Sequence, residues 1–361
     1  MSGVYLSYPF CAQKCSYCNF ASGVFPRELG EAYPGALLTE LRAMEWPWVP
    51  ETVYWGGGTP SQMDPALLAS LHEAIPGRPW REATIEAAPG GITREKAEAW
   101  KSAGINRVSL GVQSFITKEL ARTGRKHTAQ VVRQEVEILR GAGIANINID
   151  LIAGLPGQTL ESWRESLDWV ERLQAPHVSV YMLEVDEDSR LGSEILALGK
   201  RYGAQDVPGE DQVADFYETA VSRLAGLGIA RYEISNFARP GYESAHNLKY
   251  WRREPYLGFG SDAHSFDGGM RWQNVESAAE YVECWKSGAS AVAGRTAADG
   301  VGEPYFLGLR LSEGIPAGVT EFRQGVERFL KEGLLEETGG RLRLTSRGVL
   351  LSNEVFAEFV G

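Results

Sequence analysis

The first half of the chain repeats one pattern, in which short apolar runs alternate with stretches of helical periodicity. Six runs rich in β-branched and aromatic residues are predicted strands, at residues 4–8, 52–55, 83–87, 107–113, 146–152 and 177–183. Between them, apolar residues recur with the spacing of an amphipathic helix. We predict helices at residues 28–44, 64–74, 93–104, 128–139 and 160–173.

This alternation is typical of a parallel sheet with right-handed crossovers. The runs are almost continuously apolar, as in strands that are buried on both faces. An incomplete barrel and an open doubly wound sheet both fit the pattern, and both place ligands at the carboxyl ends of the strands. Polar residues follow or end the strands at Cys11, segment 56–59, Glu86, Gln113 and Asp150. We therefore expect one active site on that rim.

The pattern changes after residue 190. A helix is predicted at 212–227, followed by an aromatic, glycine-rich segment at 243–266 and a small-residue linker at 287–302. A helix at 320–332, a hairpin of 334–336 with 342–344, and a helix at 346–359 predict a small winged-helix-like α+β module. We thus expect a partial barrel over 1–235, a loop-rich segment with a linker over 236–300, and the C-terminal module over 301–361.

Composition narrows the partners and the compartment. The formal net charge is −11, whereas nucleic-acid-binding surfaces normally carry a basic excess, so we expect no nucleic-acid partner and a capping or docking role for the C-terminal module. No run approaches the roughly 20 apolar residues of a membrane span. The first residues lack the basic and apolar regions of a signal peptide. Clustered thiols suit a reducing compartment, so we predict a cytoplasmic protein.

Three of the four cysteines lie close together, at Cys11, Cys15 and Cys18. Thiolates at this C-x3-C-x2-C spacing favour zinc or an iron–sulfur cluster. Structural zinc usually takes four protein ligands, and no fourth ligand lies nearby in the sequence. Three thiolates on a four-iron cluster leave one iron without a protein ligand. The loop therefore predicts a [4Fe-4S] cluster with one open iron, and Cys284 is expected to be an inert thiol.

The cysteine spacing resembles that of the radical S-adenosylmethionine (SAM) superfamily, in which the methionyl amine and carboxylate of SAM chelate the fourth iron. Within it, segments 5–11, 56–60, 84–86, 111–115 and 150–156 are similar to the oxygen-independent coproporphyrinogen oxidase group, and the resemblance covers nearly the whole chain. It implies a TIM-like incomplete (β/α)6 barrel. The SAM contacts that it implies are Tyr5, Gly57, Gly58, Thr59, Glu86, Gln113, Arg125 and Asp150.

This group contains a coproporphyrinogen III dehydrogenase and a relative, the HemW-type haem chaperone. The dehydrogenase has a fourth cysteine two residues after the third, where this chain has Phe20. It also has an extension before the cluster, whereas ten residues precede Cys11 here. Both features favour the HemW type. The alternatives are the dehydrogenase, which makes protoporphyrinogen IX by oxidative decarboxylation, and another radical SAM enzyme that acts on a tetrapyrrole.

A second motif bears on haem. The sequence His246-Asn-Leu-Lys-Tyr-Trp251 resembles the HNxxYW motif that is associated with haem binding in HemW-type proteins. Histidine is a good axial ligand and aromatic rings pack on porphyrins, although a histidine hydrogen-bonded inside a loop fits equally well. His264 is a second candidate. The resemblance implies haem or a porphyrinogen, a haem-acceptor protein and a flavodoxin- or ferredoxin-type electron donor as partners.

Overall fold

A computed structural model describes residues 2–318 and 321–360, which form a central twelve-stranded sheet and a three-stranded sheet flanked by helices. The strands are β1 (Gly3–Tyr8), β2 (Thr52–Gly57), β3 (Glu82–Ala87), β4 (Arg107–Gln113), β5 (Asn146–Ala153), β6 (His177–Met182), β7 (Ala230–Arg231), β8 (Asn236–Ala238), β9 (Tyr256–Phe259), β10 (His264–Phe266), β11 (Met270–Asn274), β12 (Val292–Ala297), β13 (Ile315–Pro316), β14 (Leu335–Thr338) and β15 (Arg341–Leu344).

Helices precede or follow most of these strands. The helices are α1 (Arg27–Ala43), α2 (Pro65–Glu73), α3 (Arg94–Ser102), α4 (Thr117–Thr123), α5 (Ala129–Gly141), α6 (Leu160–Leu173), α7 (Arg190–Leu196), α8 (Glu210–Gly226), α9 (Ala245–Trp251), α10 (Ala278–Ser287), α11 (Glu303–Gly308), α12 (Arg323–Glu332), α13 (Ser346–Leu350) and α14 (Ser352–Ala357).

Strands β1 to β6 lie side by side in chain order and are all parallel. The two outer strands of this set do not pair with each other: β1 pairs with β9 in parallel, and β6 pairs with β8 in antiparallel fashion. The predicted incomplete (β/α)6 barrel is therefore confirmed. Its six carboxyl ends face one rim, as parallel strands require.

The helices that join these strands form where the sequence predicts them, within a few residues. The Asp64 carboxylate accepts hydrogen bonds from Ala66 N and Leu67 N at the start of α2, and Thr159 caps α6 through Ser162 N. The helices pack on the strands through large apolar side chains. Trp55, Trp100 and Trp163 are fully buried in this layer.

The second half of the chain extends the sheet more than the sequence predicts. The expected linker at 287–302 instead contains β12, which pairs with β11 at the edge of the sheet. Its side chains are mostly exposed, so the strand carries no hydrophobic pattern that could reveal it. Helices α4 and α7 are likewise absent from the sequence-based prediction.

The C-terminal module has the predicted order of helix, hairpin and helix. Helix α12 precedes the β14–β15 hairpin, β13 pairs with β15, and the final helix is split into α13 and α14 around Leu351. The predicted start of the first helix at Thr320 lies outside the described residues. None of the helices in the described ranges is both long and apolar enough to cross a membrane.

A buried carboxylate ties the edge of the sheet to α1. Glu40 is 7% exposed and accepts hydrogen bonds from Gly260 N at 2.8 Å, Asn274 Nδ2 at 2.7 Å and the Tyr281 hydroxyl at 2.6 Å. These donors lie after β9, on β11 and on α10. Asn274 Nδ2 also donates to Gly260 O at 2.9 Å, whereas Glu40 is the acceptor for the buried Gly260 N–H and the Tyr281 hydroxyl.

We predict that Glu40→Ala lowers the free energy of unfolding by about 3 kcal/mol or more, because the buried Gly260 N–H and Tyr281 hydroxyl lose their acceptor and Asn274 loses one of two. Urea denaturation followed by circular dichroism measures this loss. The matched control is Glu31→Ala, which removes an exposed ion pair with Arg27 on the same helix and should cost about 0.5 kcal/mol or less. Equal losses in the two variants would contradict the assigned role of Glu40.

Candidate cluster and cofactor site

A cavity of about 500 Å³ opens at the carboxyl ends of the barrel strands. All the predicted site residues line it except Tyr5 and His246. The predicted residues that line it are Cys11, Cys15, Cys18, Gly57, Gly58, Thr59, Glu86, Gln113, Arg125 and Asp150. These residues therefore lie together at one cavity on this rim, and their roles stay predictions.

The cysteine loop follows β1 and is fixed by backbone hydrogen bonds on both sides. Cys11 N donates to Gly23 O at 2.8 Å, which closes the loop on itself. Ser16 N donates to Thr123 O at 3.3 Å, and Leu191 N donates to Ser16 O at 2.8 Å. The loop is thus held between the end of α4 and the start of α7.

The three thiols face one cavity without forming a site for a single ion. No group of three His, Cys, Asp or Glu side chains in the described ranges is close enough to hold one metal ion. Each cysteine of a four-iron cluster binds a different iron, so such ligands stand apart from one another. The three thiols line one cavity, as three cysteines that bind one four-iron cluster must.

The glycine segment after β2 lies directly against the cysteine loop. Gly58 N donates to Tyr8 O at 2.7 Å, and Thr59 N donates to Phe10 O at 2.9 Å. A Cβ atom at Gly58 would lie 2.6 Å from Phe10 O, which is too close for any side chain. Glycine at this position is therefore required for the segment to approach the loop.

Two carboxylates lie deeper in the cavity. The Tyr54 hydroxyl donates to Glu86 Oε1 at 2.8 Å, and burial, with the nearby Asp150 charge, raises the pKa of Glu86 to about 7. Asp150 accepts hydrogen bonds from Ser109 Oγ at 3.0 Å and Asn148 Nδ2 at 2.7 Å, yet burial also raises its pKa. The cavity thus presents two acidic groups whose ionised forms a cationic ligand would stabilise.

Two buried polar atoms beside these carboxylates have no partner among the described residues. They are Gln113 Oε1 and Arg125 Nε, although Arg125 Nη1 donates to Gly111 O at 2.6 Å. Gln113 also has a positive φ of 69°, a conformation that is uncommon for a non-glycine residue. Unpaired buried groups and a strained backbone at one place fit a polar ligand that completes the hydrogen bonding. The Gln113 oxygen and the two carboxylates suit the cationic groups of SAM, and the Arg125 guanidinium suits its carboxylate.

Tyr5 lies behind the cavity wall. Its ring stacks on that of Tyr54 with centroids 6.2 Å apart, and a Cβ atom at Gly56 would lie 2.9 Å from it. Tyr5 therefore supports Tyr54 in this structure, and its direct contact with SAM stays a prediction.

His246 lies at the opposite end of the barrel. Its ring is fully buried, with Nδ1 2.9 Å from Thr52 Oγ1 and Nε2 2.8 Å from the Tyr250 hydroxyl. Thr52 begins β2, so this position is at the amino ends of the strands. Ligation of haem iron by His246 would require one of these hydrogen bonds to break. His264 is exposed on β10 and does not line the cavity either.

Several cavity residues were missing from the sequence-based set. Tyr54, Ser109, His127 and Tyr181 line the cavity. Three of them lie on strands, where polar side chains recur at every second position and point into the barrel. This alternation within otherwise apolar runs is the signal that could have identified them. His127 lies in a loop and carries no such signal.

Comparisons with known proteins agree with this geometry. The model of the radical SAM superfamily matches residues 5–170, and that of the HemN C-terminal domain matches residues 302–351. The heme chaperone HemW of Bacillus subtilis is 34% identical over 100% of both chains. That of Escherichia coli is 31% identical over 99% of this chain and 97% of its own length. The solved structure of E. coli coproporphyrinogen III oxidase (HemN) covers 99% of this chain and 89% of its own, with a TM-score of 0.85 at 23% identity, which shows a shared fold.

We predict that Cys15→Ala abolishes the brown absorption at about 400 nm that a [4Fe-4S] cluster gives after anaerobic reconstitution. The variant keeps only two of the three cysteine ligands, which are too few to retain the cluster. Cys284→Ala is the matched control, since Cys284 lies on α10 away from the cavity, and its absorption and iron content should equal those of the wild type. A colourless wild-type protein that carries zinc would refute the cluster assignment.

We also predict that SAM binds more tightly as Glu86 ionises. SAM carries a sulfonium and an ammonium group, so protonation of Glu86 removes an attractive charge. Since the pKa of Glu86 is about 7, the Kd should rise as pH falls through this value, by up to about tenfold per unit below it. Anaerobic calorimetry measures this dependence.

Two variants check the assignment of this pH dependence. Glu86→Gln should bind SAM more weakly with a nearly flat pH profile. Glu98→Gln, which alters an exposed carboxylate on α3, should keep the wild-type profile. A flat profile in the wild-type protein would show that Glu86 does not face the cation.

Proposed function

The chain belongs to the HemW family of the radical SAM superfamily, and from this premise we propose that it is a haem chaperone. In this proposal it holds a [4Fe-4S] cluster, binds SAM and haem, and transfers haem to an acceptor protein. The observation that carries the proposal is identity of 31–36% with heme chaperones HemW along nearly the whole chain.

Phe20, two residues after Cys18, supports the haem-chaperone branch of the family. Phe20 stands where the decarboxylating relatives have a fourth cysteine, and its side chain is 68% exposed at the cavity. An exposed aromatic ring offers apolar surface to a flat ligand, whereas a cysteine there would offer a thiolate. The apolar side chains of Ile152, Met182 and Leu183 line the same cavity. A porphyrin ring needs such an apolar surface to pack against, next to the polar part of the cavity.

The cysteine loop also suits a redox partner. Ala12 and Gln13 are exposed on it, so a flavodoxin- or ferredoxin-type donor could approach the loop from solvent. We propose such a protein as the electron donor. The cluster, once reduced, would supply SAM cleavage chemistry, and the residues of this chain would bind the cofactor and keep water from it.

The competing function is oxidative decarboxylation of coproporphyrinogen III. We predict that the reconstituted protein, given SAM, a reductant and coproporphyrinogen III under anaerobic conditions, releases no CO2 and forms no protoporphyrinogen IX. The same preparation should bind haem at one equivalent per chain and lose it to apomyoglobin used as an artificial acceptor.

The two assays separate the candidates. Turnover of coproporphyrinogen III would replace the chaperone proposal with the dehydrogenase. Absence of both turnover and haem binding would overturn the chaperone proposal and leave the third candidate, a radical SAM enzyme acting on another tetrapyrrole. E. coli HemN, run in parallel, is the positive control for turnover.

A further inference from the structure

A second cavity, of about 510 Å³, lies between the edge of the central sheet and the C-terminal module. The barrel contributes Arg231, on β7 at one end of the central sheet. The module contributes the other polar residues of the lining, which are Ser312, Glu336, Arg343, Thr345, Ser346 and Arg347. None of these residues lines the cluster cavity, so the two cavities are separate.

Hydrogen bonds hold the two parts of this lining together. Ser312 N donates to Tyr232 O at 2.9 Å, and Ser312 Oγ donates to Arg231 O at 3.0 Å. A few residues further along the chain, β13 pairs with β15, the strand that carries Arg343. The elements that carry Arg231 and Arg343 are therefore fixed relative to each other.

The lining carries an excess of positive charge, although the chain has a formal net charge of −11. It contains three arginines and a single carboxylate, that of Glu336, which lies opposite Arg343 on the neighbouring strand. Within the described part of the chain, none of these three arginines takes part in an ion pair, whereas Arg328 of the same module pairs with Glu358. The positive charge of the cavity is thus not neutralised by the protein.

The two module arginines keep donors that have no acceptor among the described residues. Arg343 Nε is buried and unpaired. The stem of this side chain is confined, because a Cβ atom at Gly314 would lie 2.6 Å from Arg343 Cγ. Arg347 uses Nη1 to donate to Glu332 O at 3.0 Å, which leaves the rest of its guanidinium group available. A buried donor without a partner is destabilising, and an anionic ligand would supply the missing acceptors.

The lining favours a phosphate group over other ligands. Guanidinium groups bind phosphates and carboxylates through paired N–H donors. One arginine already matches the two oxygens of a carboxylate, whereas a phosphate dianion offers more oxygens and more charge, and so suits three arginines and the Ser346 hydroxyl. Leu344 is the one apolar side chain in the described lining, so a porphyrin ring would find little surface to pack against.

We propose that this second cavity binds a phosphate group through the guanidinium groups of Arg231, Arg343 and Arg347. The group belongs either to free phosphate or to a phosphorylated small molecule, for which the cavity has room. Since Arg231 lies on the barrel and the other two arginines lie in the module, the ligand would fasten the module to the barrel. The site does not depend on whether the chain binds haem or SAM.

The test is isothermal titration calorimetry of the full-length protein with inorganic phosphate at constant ionic strength. We expect saturable binding, about tenfold weaker in Arg343→Gln and in Arg231→Gln, because each loses charged hydrogen bonds to the ligand. Arg323→Gln is the matched control, since Arg323 is an exposed arginine of the module that pairs with Glu327 on α12, and it should keep the wild-type affinity. Acetate should bind at least about tenfold more weakly than phosphate.

A further variant separates binding from folding. Arg343→Lys keeps the charge but not the planar fork, so it should bind phosphate more tightly than Arg343→Gln and more weakly than the wild type, with an unchanged circular dichroism spectrum. Adenosine monophosphate, titrated in parallel, identifies the source: tighter binding than inorganic phosphate indicates a phosphorylated small molecule, and weaker binding indicates free phosphate.

Three results would overturn the inference. They are a wild-type protein that shows no saturable phosphate binding at constant ionic strength, wild-type affinity in both Arg343→Gln and Arg231→Gln, and acetate binding as tight as that of phosphate. Each of these results would leave the proposed haem-chaperone function untouched, because that function is tested by haem binding and transfer.

Discussion

The structure depends on the burial of two carboxylates inside a barrel of parallel strands. Glu86 and Asp150 lie where water is scarce, and burial raises the pKa of each. Such groups are stable only when donors or a cation compensate the lost hydration. Tyr54 and Ser109 provide donors from neighbouring strands, and Asn148 provides one from the same strand as Asp150. A cationic cofactor would supply the rest of the stabilisation that the two buried carboxylates need. The unpaired atoms of Gln113 and Arg125 line the same cavity.

The floor of the barrel supports this arrangement from below. The ring of His246 stacks on Tyr54 with centroids 5.2 Å apart, and Tyr54 in turn donates to Glu86. The buried Glu82 accepts hydrogen bonds from Ala245 N at 3.0 Å and His246 N at 2.9 Å, which anchors α9. The same helix reaches the C-terminal module, because Arg310 lies 4.3 Å from the centre of the Trp251 ring. The HNxxYW segment thus joins the barrel floor to the module in this structure.

Much of this was predictable from the sequence because the barrel strands are fully buried and their helices amphipathic. Cys11, Cys15 and Cys18 marked the site by their spacing alone. Strand β12 was not predictable, since an exposed edge strand carries no hydrophobic period. The location of His246 depends on how α9 packs against β2, a contact between residues almost two hundred positions apart.

The central claim is that three cysteines hold a four-iron cluster whose open iron faces a SAM-binding cavity. Mössbauer spectroscopy of protein reconstituted with enriched iron tests it most directly, because the method resolves the individual iron sites of a cluster. The account predicts about four irons per chain and a change at a single iron when SAM is added, with no such change in Glu86→Gln at a low SAM concentration. A spectrum that SAM leaves unaltered at saturation, or a protein that retains zinc in place of iron, would contradict it.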